Sequence, residues 1–147
     1  MTLVLVVDDE EAFLQITQIV LKRAGYYVTT ACNGFESLRA IEEQLPDLVI
    51  LDEMMPGMSG SEVCQRIKTR PDWQHIPVIM HTASVRLKNP ELVKDIQADA
   101  VMFKPTMPPE LVATVARDER HGVAFVEQRN RTSDRLLVDA ELTRQAP

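Results

Sequence analysis

Cysteine is nearly absent: the chain has only Cys32 and Cys64. Neither stands at metal-ligand spacing, so the expectation is two reduced, partly buried thiols in a cytosolic protein. Long apolar runs are missing too, and no window approaches the ~20 apolar residues that a bilayer-spanning helix needs. The opening MTLVLVVDDE lacks a basic leader and turns acidic after one short run, which does not describe a signal peptide. A cytoplasmic chain without membrane contact is therefore expected. Positive charge is in deficit, with a formal net charge of -6, which argues against direct nucleic-acid binding. There is no GxxxxGK[ST] run, so a P-loop nucleotide hydrolase is excluded. No repeat or Gly/Ser linker divides the 147 residues, a length that suits one domain.

What is present is organised around LVILDEMMPG, residues 48 to 57. Four residues suited to a strand end abruptly in a carboxylate, Asp52, before Pro56 and Gly57 turn the chain. A run with no polar alternation reads as a central strand covered on both faces. Three other apolar runs end in polar groups in the same way: LVLVVDDE at Asp8 and Asp9, VIMHTA at Thr82 with Ala83 after it, and AVMFKP at Lys104. In open α/β sheets ligands bind at the carboxyl ends of the strands. Parallel strands would therefore gather three carboxylates, a hydroxyl and an ammonium at one edge.

Between these runs the pattern is helical. Residues 10 to 24 predict a helix with Phe13, Ile16, Val20 and Leu21 inward and Gly25 as its stop. A short strand at 26 to 31 precedes a helix at 35 to 43 with Leu38 and Ile41 inward, closed before Pro46. Ser59 caps a helix over 60 to 69 that buries Val63 and Ile67. Asn89-Pro90-Glu91 opens another, with Leu92, Val93 and Ile96 as its apolar face, and Pro108-Pro109-Glu110 opens the last clear helix, with Leu111, Val112 and Val115. Five βα units by residue 118 predict an α/β doubly wound (βα)5 sandwich with helices on both faces. Residues 119 to 147 read as a C-terminal helical extension or weakly ordered tail. Within them Gly122 interrupts the pattern, VAFVEQRN is ambiguous, NRTSDR resembles a loop, and LLVDAEL suits a helical patch.

Concentrated acids at Asp8, Asp9 and Asp52 need a positive partner at neutral pH. The ligand atoms on offer are all oxygens, which selects a hard octahedral ion, Mg²⁺. Lys104 adds a mobile point charge and Thr82 a hydroxyl able to donate to an anionic oxygen. This set describes phosphoryl chemistry, in which a carboxylate is the nucleophile while metal and ammonium take up charge on the phosphoryl oxygens. His81 alternates away from Thr82 and reads as a core or subsurface histidine. Met54, Met55, Met58, Met80, Met102 and Met107 read as gap-fillers.

VVDDE at 6 to 10, LDEMMPGMSG at 51 to 60, HTA at 81 to 83 and KP at 104 to 105 come in one order, with thirty residues from Asp52 to Thr82 and twenty-two from Thr82 to Lys104. From about residue 3 to 116 the chain resembles the receiver domain of bacterial two-component response regulators. That resemblance implies a flavodoxin-like five-stranded parallel sheet in order 2-1-3-4-5. It implies that Asp52 is the phosphoacceptor and that Mg²⁺ is held by Asp8, Asp9, Asp52 and the backbone carbonyl of Met54. Thr82 would engage the phosphoryl group, Lys104 would pair with Asp52 and then the phosphate, and the Lys104-Pro105 bond would be cis. The implied partners are a sensor histidine kinase or histidine phosphotransfer protein, a downstream protein or output domain, and in some cases a second copy.

Residue 101 departs from the family. Many receivers carry a switch tyrosine or phenylalanine there, and this chain has Val101, too short and stiff to swing inward. Met54, Ala83 and Ser84 surround the phosphate position, with Met54 bulky and Ser84 small. The nearest rival is a pseudo-receiver that binds a partner without being phosphorylated. Such a domain would have lost part of the acid set, which is complete here.

Overall fold

The computed structural model describes residues 2 to 131. The elements are β1 (Leu3–Val7), α1 (Glu11–Arg23), β2 (Tyr27–Ala31), α2 (Gly34–Glu43), β3 (Leu48–Leu51), α3 (Gly60–Thr69), β4 (Val78–Thr82), the 3-10 turn η1 (Val85–Lys88), α4 (Pro90–Ile96), β5 (Ala100–Phe103) and α5 (Pro108–Arg131). The strands form one parallel sheet in order β2-β1-β3-β4-β5, as the resemblance implied.

Two apolar layers follow from the alternation of side chains along the strands. Leu5, Val7, Val49, Leu51, Val78 and Met80 face one way and pack with Ile41 of α2, Val63 and Ile67 of α3 and Ile96 of α4. Val4, Val6, Leu48, Ile50, Ile79 and Met102 face the other way and pack with Leu14 and Leu21 of α1 and Leu111 and Val115 of α5. Helices α2, α3 and α4 thus cover one face and α1 and α5 the other. Each fully buried Leu or Ile contributes about 1.5–3 kcal/mol of transfer free energy. β3 is buried along its whole length, which explains why its run is unbroken by polar residues.

Helix boundaries follow local chemistry. Asn33, Ser59 and Asn89 each accept a backbone N–H from the first turn of the helix they precede. Gly25 ends α1 at φ 97°, and Tyr26 N–H closes back on the Leu21 carbonyl at 3.1 Å.

Several expectations need correction. Ile16 is 58% exposed, and the buried residues of α1 are Leu14, Thr17 and Leu21. The apolar set on α1 is wider than one face, and the phase that meets the sheet runs through Leu14. Met54 and Met107 are exposed and fill no gap, whereas Met55 and Met58, in the same loop as Met54, and Met80 and Met102 in strands are buried. Cys32 is exposed and Cys64 buried, both as free thiols. α5 continues through Gly122 to Arg131; the readings for 132 to 147 fall outside the described residues. Among the described residues no helix is long and apolar enough to cross a membrane.

Candidate functional site

Asp8, Asp52 and Lys104 meet at the carboxyl edge of the sheet because β1, β3 and β5 run parallel and end together. Asp52 follows β3, and its N–H is tied to the Val7 carbonyl of β1 at 3.0 Å. The Lys104 ammonium lies 2.5 Å from Asp8 Oδ2 and 3.3 Å from Asp52 Oδ2, and all three side chains are only 5% exposed. One buried cation is therefore shared by two buried carboxylates. Burial pushes the Asp8 carboxyl above its ordinary range, opposed by the hydrogen bond from Lys104.

Thr82, fully buried at the end of β4, accepts the Ser84 N–H on Oγ1 at 3.0 Å, which leaves its O–H to donate. Ser84 is buried and caps η1 through Arg86 N–H, while Ala83 and Met54 are exposed. Met54 N–H approaches Asp52 Oδ1 at 3.4 Å. The Lys104-Pro105 peptide bond is cis. Val101 is half-buried opposite Met80 on β4 and packs on the α2–α4 side of the sheet. His81 is buried, its Nε2 lies 3.0 Å from Thr106 Oγ1, and burial together with the Lys104 charge lowers its pKa to about 4. It is neutral at pH 7, as a subsurface histidine would be.

The donor set suits Mg²⁺. Asp8, Asp9 and Glu10 can each present a carboxylate oxygen within 4.8 Å of the others. All are hard ligands, and the exposure of Asp9 and Glu10 leaves room for the waters that Mg²⁺ retains.

Sequence reasoning gave no functional role to three residues. Glu10 joins the acidic cluster; its place next to two aspartates was the available signal. The Phe13 ring lies under the Lys104 ammonium, 3.9 Å from it to the centroid. Glu53, beside Asp52, is buried and accepts both the N–H of Ser61 at 2.8 Å and its hydroxyl at 2.5 Å, with Arg86 of η1 at 3.8 Å. Phe13 was read only as an inward position of its helix and nothing local marks Glu53, because the role of each depends on a partner brought close only by folding.

A 2-1-3-4-5 parallel sheet with acids, a threonine and a lysine at its carboxyl edge defines a receiver. The chain belongs to the response regulator receiver domain family, which matches residues 4–116. Its pocket is homologous to the phosphoacceptor pocket of that family. It is 42% identical over 112 residues to the phosphate regulon transcriptional regulatory protein PhoB of Rhizobium meliloti, covering 75% of this chain and 48% of that protein. To the alkaline phosphatase synthesis transcriptional regulatory protein PhoP of Bacillus subtilis it is 39% identical, covering 76% of this chain and 46% of that protein. The chain thus spans about half the length of these curated relatives. Among solved structures it is similar to the chemotaxis protein CheY4 of Vibrio cholerae, at TM-score 0.75 and 30% identity over 80% of this chain and 98% of that one. A CheY-like receiver domain protein from Methanospirillum hungatei gives TM-score 0.76 and 30% identity, over 83% and 96%.

Proposed function

We propose that Asp52 accepts a phosphoryl group from a phosphohistidine in a Mg²⁺-dependent reaction and that the phosphorylated domain signals to a protein partner. The observation that carries this is the buried Asp52 carboxylate sharing one ammonium with Asp8, 3.3 Å and 2.5 Å from Lys104. A carboxylate oxygen of Asp52 forms the new bond to phosphorus. The bond from phosphorus to the imidazole nitrogen breaks, and the departing histidine keeps the electron pair. Lys104 sits where negative charge gathers on the phosphoryl oxygens, and the Thr82 hydroxyl donates to one of them after transfer. Asp8 and Asp9, with Asp52 and the Met54 carbonyl, would hold Mg²⁺, and Glu10 is close enough to join them through water. When bound, the ion supplies positive charge against the phosphoryl oxygens.

The donor in this reading is a sensor histidine kinase or histidine phosphotransfer protein. The recipient of the signal is a downstream protein, an output domain or a second copy, in the cytoplasm and away from the membrane. PhoB and PhoP are named as transcriptional regulators, and this chain matches about half of each, so the rest of any such output lies outside the matched region. Residues 1 to 118 form the receiver unit and 119 to 147 a C-terminal extension. Thr82 leads the conformational response, Val101 holds the switch position without a ring to swing inward, and Ala83, Ser84 and Met54 border the phosphate.

The test is incubation with acetyl phosphate, with and without Mg²⁺, read by intact mass. One added phosphoryl group is expected, and none when EDTA is present from the start or in Asp52→Ala. Undiminished labelling in Asp52→Ala overturns the assignment.

A further inference from the structure

Phe13 has no place in the reading above, yet its ring lies 3.9 Å from the Lys104 ammonium. The contact joins the first turn of α1 to the residue after β5. The Lys104 side chain is 5% exposed, so little water competes for its charge. An ammonium has three N–H donors. Asp8 at 2.5 Å and Asp52 at 3.3 Å engage two of them, and the negative face of the ring meets the positive charge that remains.

We propose that Phe13 is a positioning residue for phosphoryl transfer: its π face holds the Lys104 ammonium between Asp8 and Asp52 while the carboxylates change partners. The proposal rests on the reading of Asp52 as phosphoacceptor. Lysine is a strongly hydrated charge on a flexible stem, so it needs fixed partners to stay in place. Neither carboxylate is a constant one. Asp8 also belongs to the oxygen cluster with Asp9 and Glu10, so a divalent cation there draws on the carboxylate that Lys104 holds. Asp52 loses its carboxylate charge once one of its oxygens is bonded to phosphorus. Of the three partners only the ring keeps its character throughout. It transfers no atom and acts through Lys104, as part of a preorganised cation. Leucine at position 13 would fill the apolar space without supplying a negative face.

Phe13→Leu, Phe13→Tyr and ring-fluorinated phenylalanines at position 13 separate these roles, because fluorination withdraws π density while nearly preserving shape. In the metal-free protein, an upfield ring-current shift of the Lys104 Cε protons is expected and should vanish in Phe13→Leu. Ammonium proton exchange should quicken with each fluorine added. With acetyl phosphate and Mg²⁺, the rate of Asp52 phosphorylation should fall stepwise, by about tenfold at full fluorination and in Phe13→Leu. Phe13→Tyr should stay near wild type, and urea midpoints should hold across the fluorinated series. A flat series, in protein still phosphorylated at Asp52, overturns this proposal alone. Absence of phosphorylation in the wild-type protein overturns it together with the reading of Asp52.

Discussion

Gly60 lies against the backbone carbonyl of Asp52: a Cβ at Gly60 would sit 2.1 Å from that oxygen and 2.8 Å from its carbon. The Gly60 N–H also donates to the Glu53 carbonyl at 3.0 Å, so the start of α3 and the end of β3 are cinched together. No side chain can enter without moving the Asp52 backbone. Gly60→Ala is expected to cost about 1–3 kcal/mol or more in urea unfolding and to slow labelling of Asp52. A wild-type midpoint with wild-type labelling would show that the loop yields freely.

A second tie lies at the opposite edge of the sheet. Lys68 of α3 is buried, 2.7 Å from Asp99 Oδ2, and also donates to the Ile76 carbonyl at 2.7 Å. Asp99 in turn accepts the N–H of Val78, where β4 begins. Lys68→Met removes the buried ammonium shared by Asp99 and the Ile76 carbonyl and is expected to cost about 1–3 kcal/mol. Phosphorylation at Asp52 should be unaffected at temperatures where the variant is folded. Equal stability of Lys68→Met and wild type in chemical denaturation would contradict this.

His81 predicts an acid-side loss of stability. Its pKa falls from 6.5 to about 4 on folding, so the unfolded chain takes up a proton before the folded one does. The contribution is full above pH 6.5 and is lost as pH falls toward about 4, to a limit on the order of 3 kcal/mol. Asp8, with its carboxyl raised, binds its own proton more tightly when folded and opposes the trend at lower pH. Denaturation midpoints between pH 7 and 4.5 should fall more steeply for wild type than for His81→Gln, and parallel slopes would argue against a buried neutral imidazole.

Val101 and Phe103 line one groove beside α4, together with Val93 and Lys88. Phe103 pairs with Thr82 across the strands, and Val101 with Met80. An aromatic ring therefore stands two residues beyond the position where the family's switch ring is usual. Beryllofluoride is expected to perturb amide signals from Thr82 to Pro90 strongly and those of residues 100 to 116 modestly, with Val101→Tyr enlarging the second response. An equal response in both segments, unchanged by Val101→Tyr, would remove Val101 from the switch.

Strand ends were the most legible feature. An apolar run that stops at Asp8, Asp52, Thr82 or Lys104 marks both a buried strand and the edge where its polar terminus emerges. Caps at Ser59 and Asn89 were equally local, since a side-chain oxygen and a first-turn N–H lie within three residues. The phase of α1 was not legible. Phe13, Leu14, Ile16, Ile19, Val20 and Leu21 surround most of the helix, and only contact with the sheet selects Leu14 and leaves Ile16 in solvent.

The amino-acid order alone determined the five βα units, the parallel sheet they imply and the identities of the polar groups at its edge, because hydrophobic period and capping act over a few residues. Tertiary structure decided which charges meet. Lys104 reaches Asp8 across ninety-six positions more closely than it reaches Asp52, the Phe13 ring takes the same ammonium, and Lys68 finds Asp99 at the far edge. Such pairings have no sequence period. They depend on which side chains the packed sheet and helices hold within a few ångströms, where burial strengthens each attraction and leaves an unpaired charge costly.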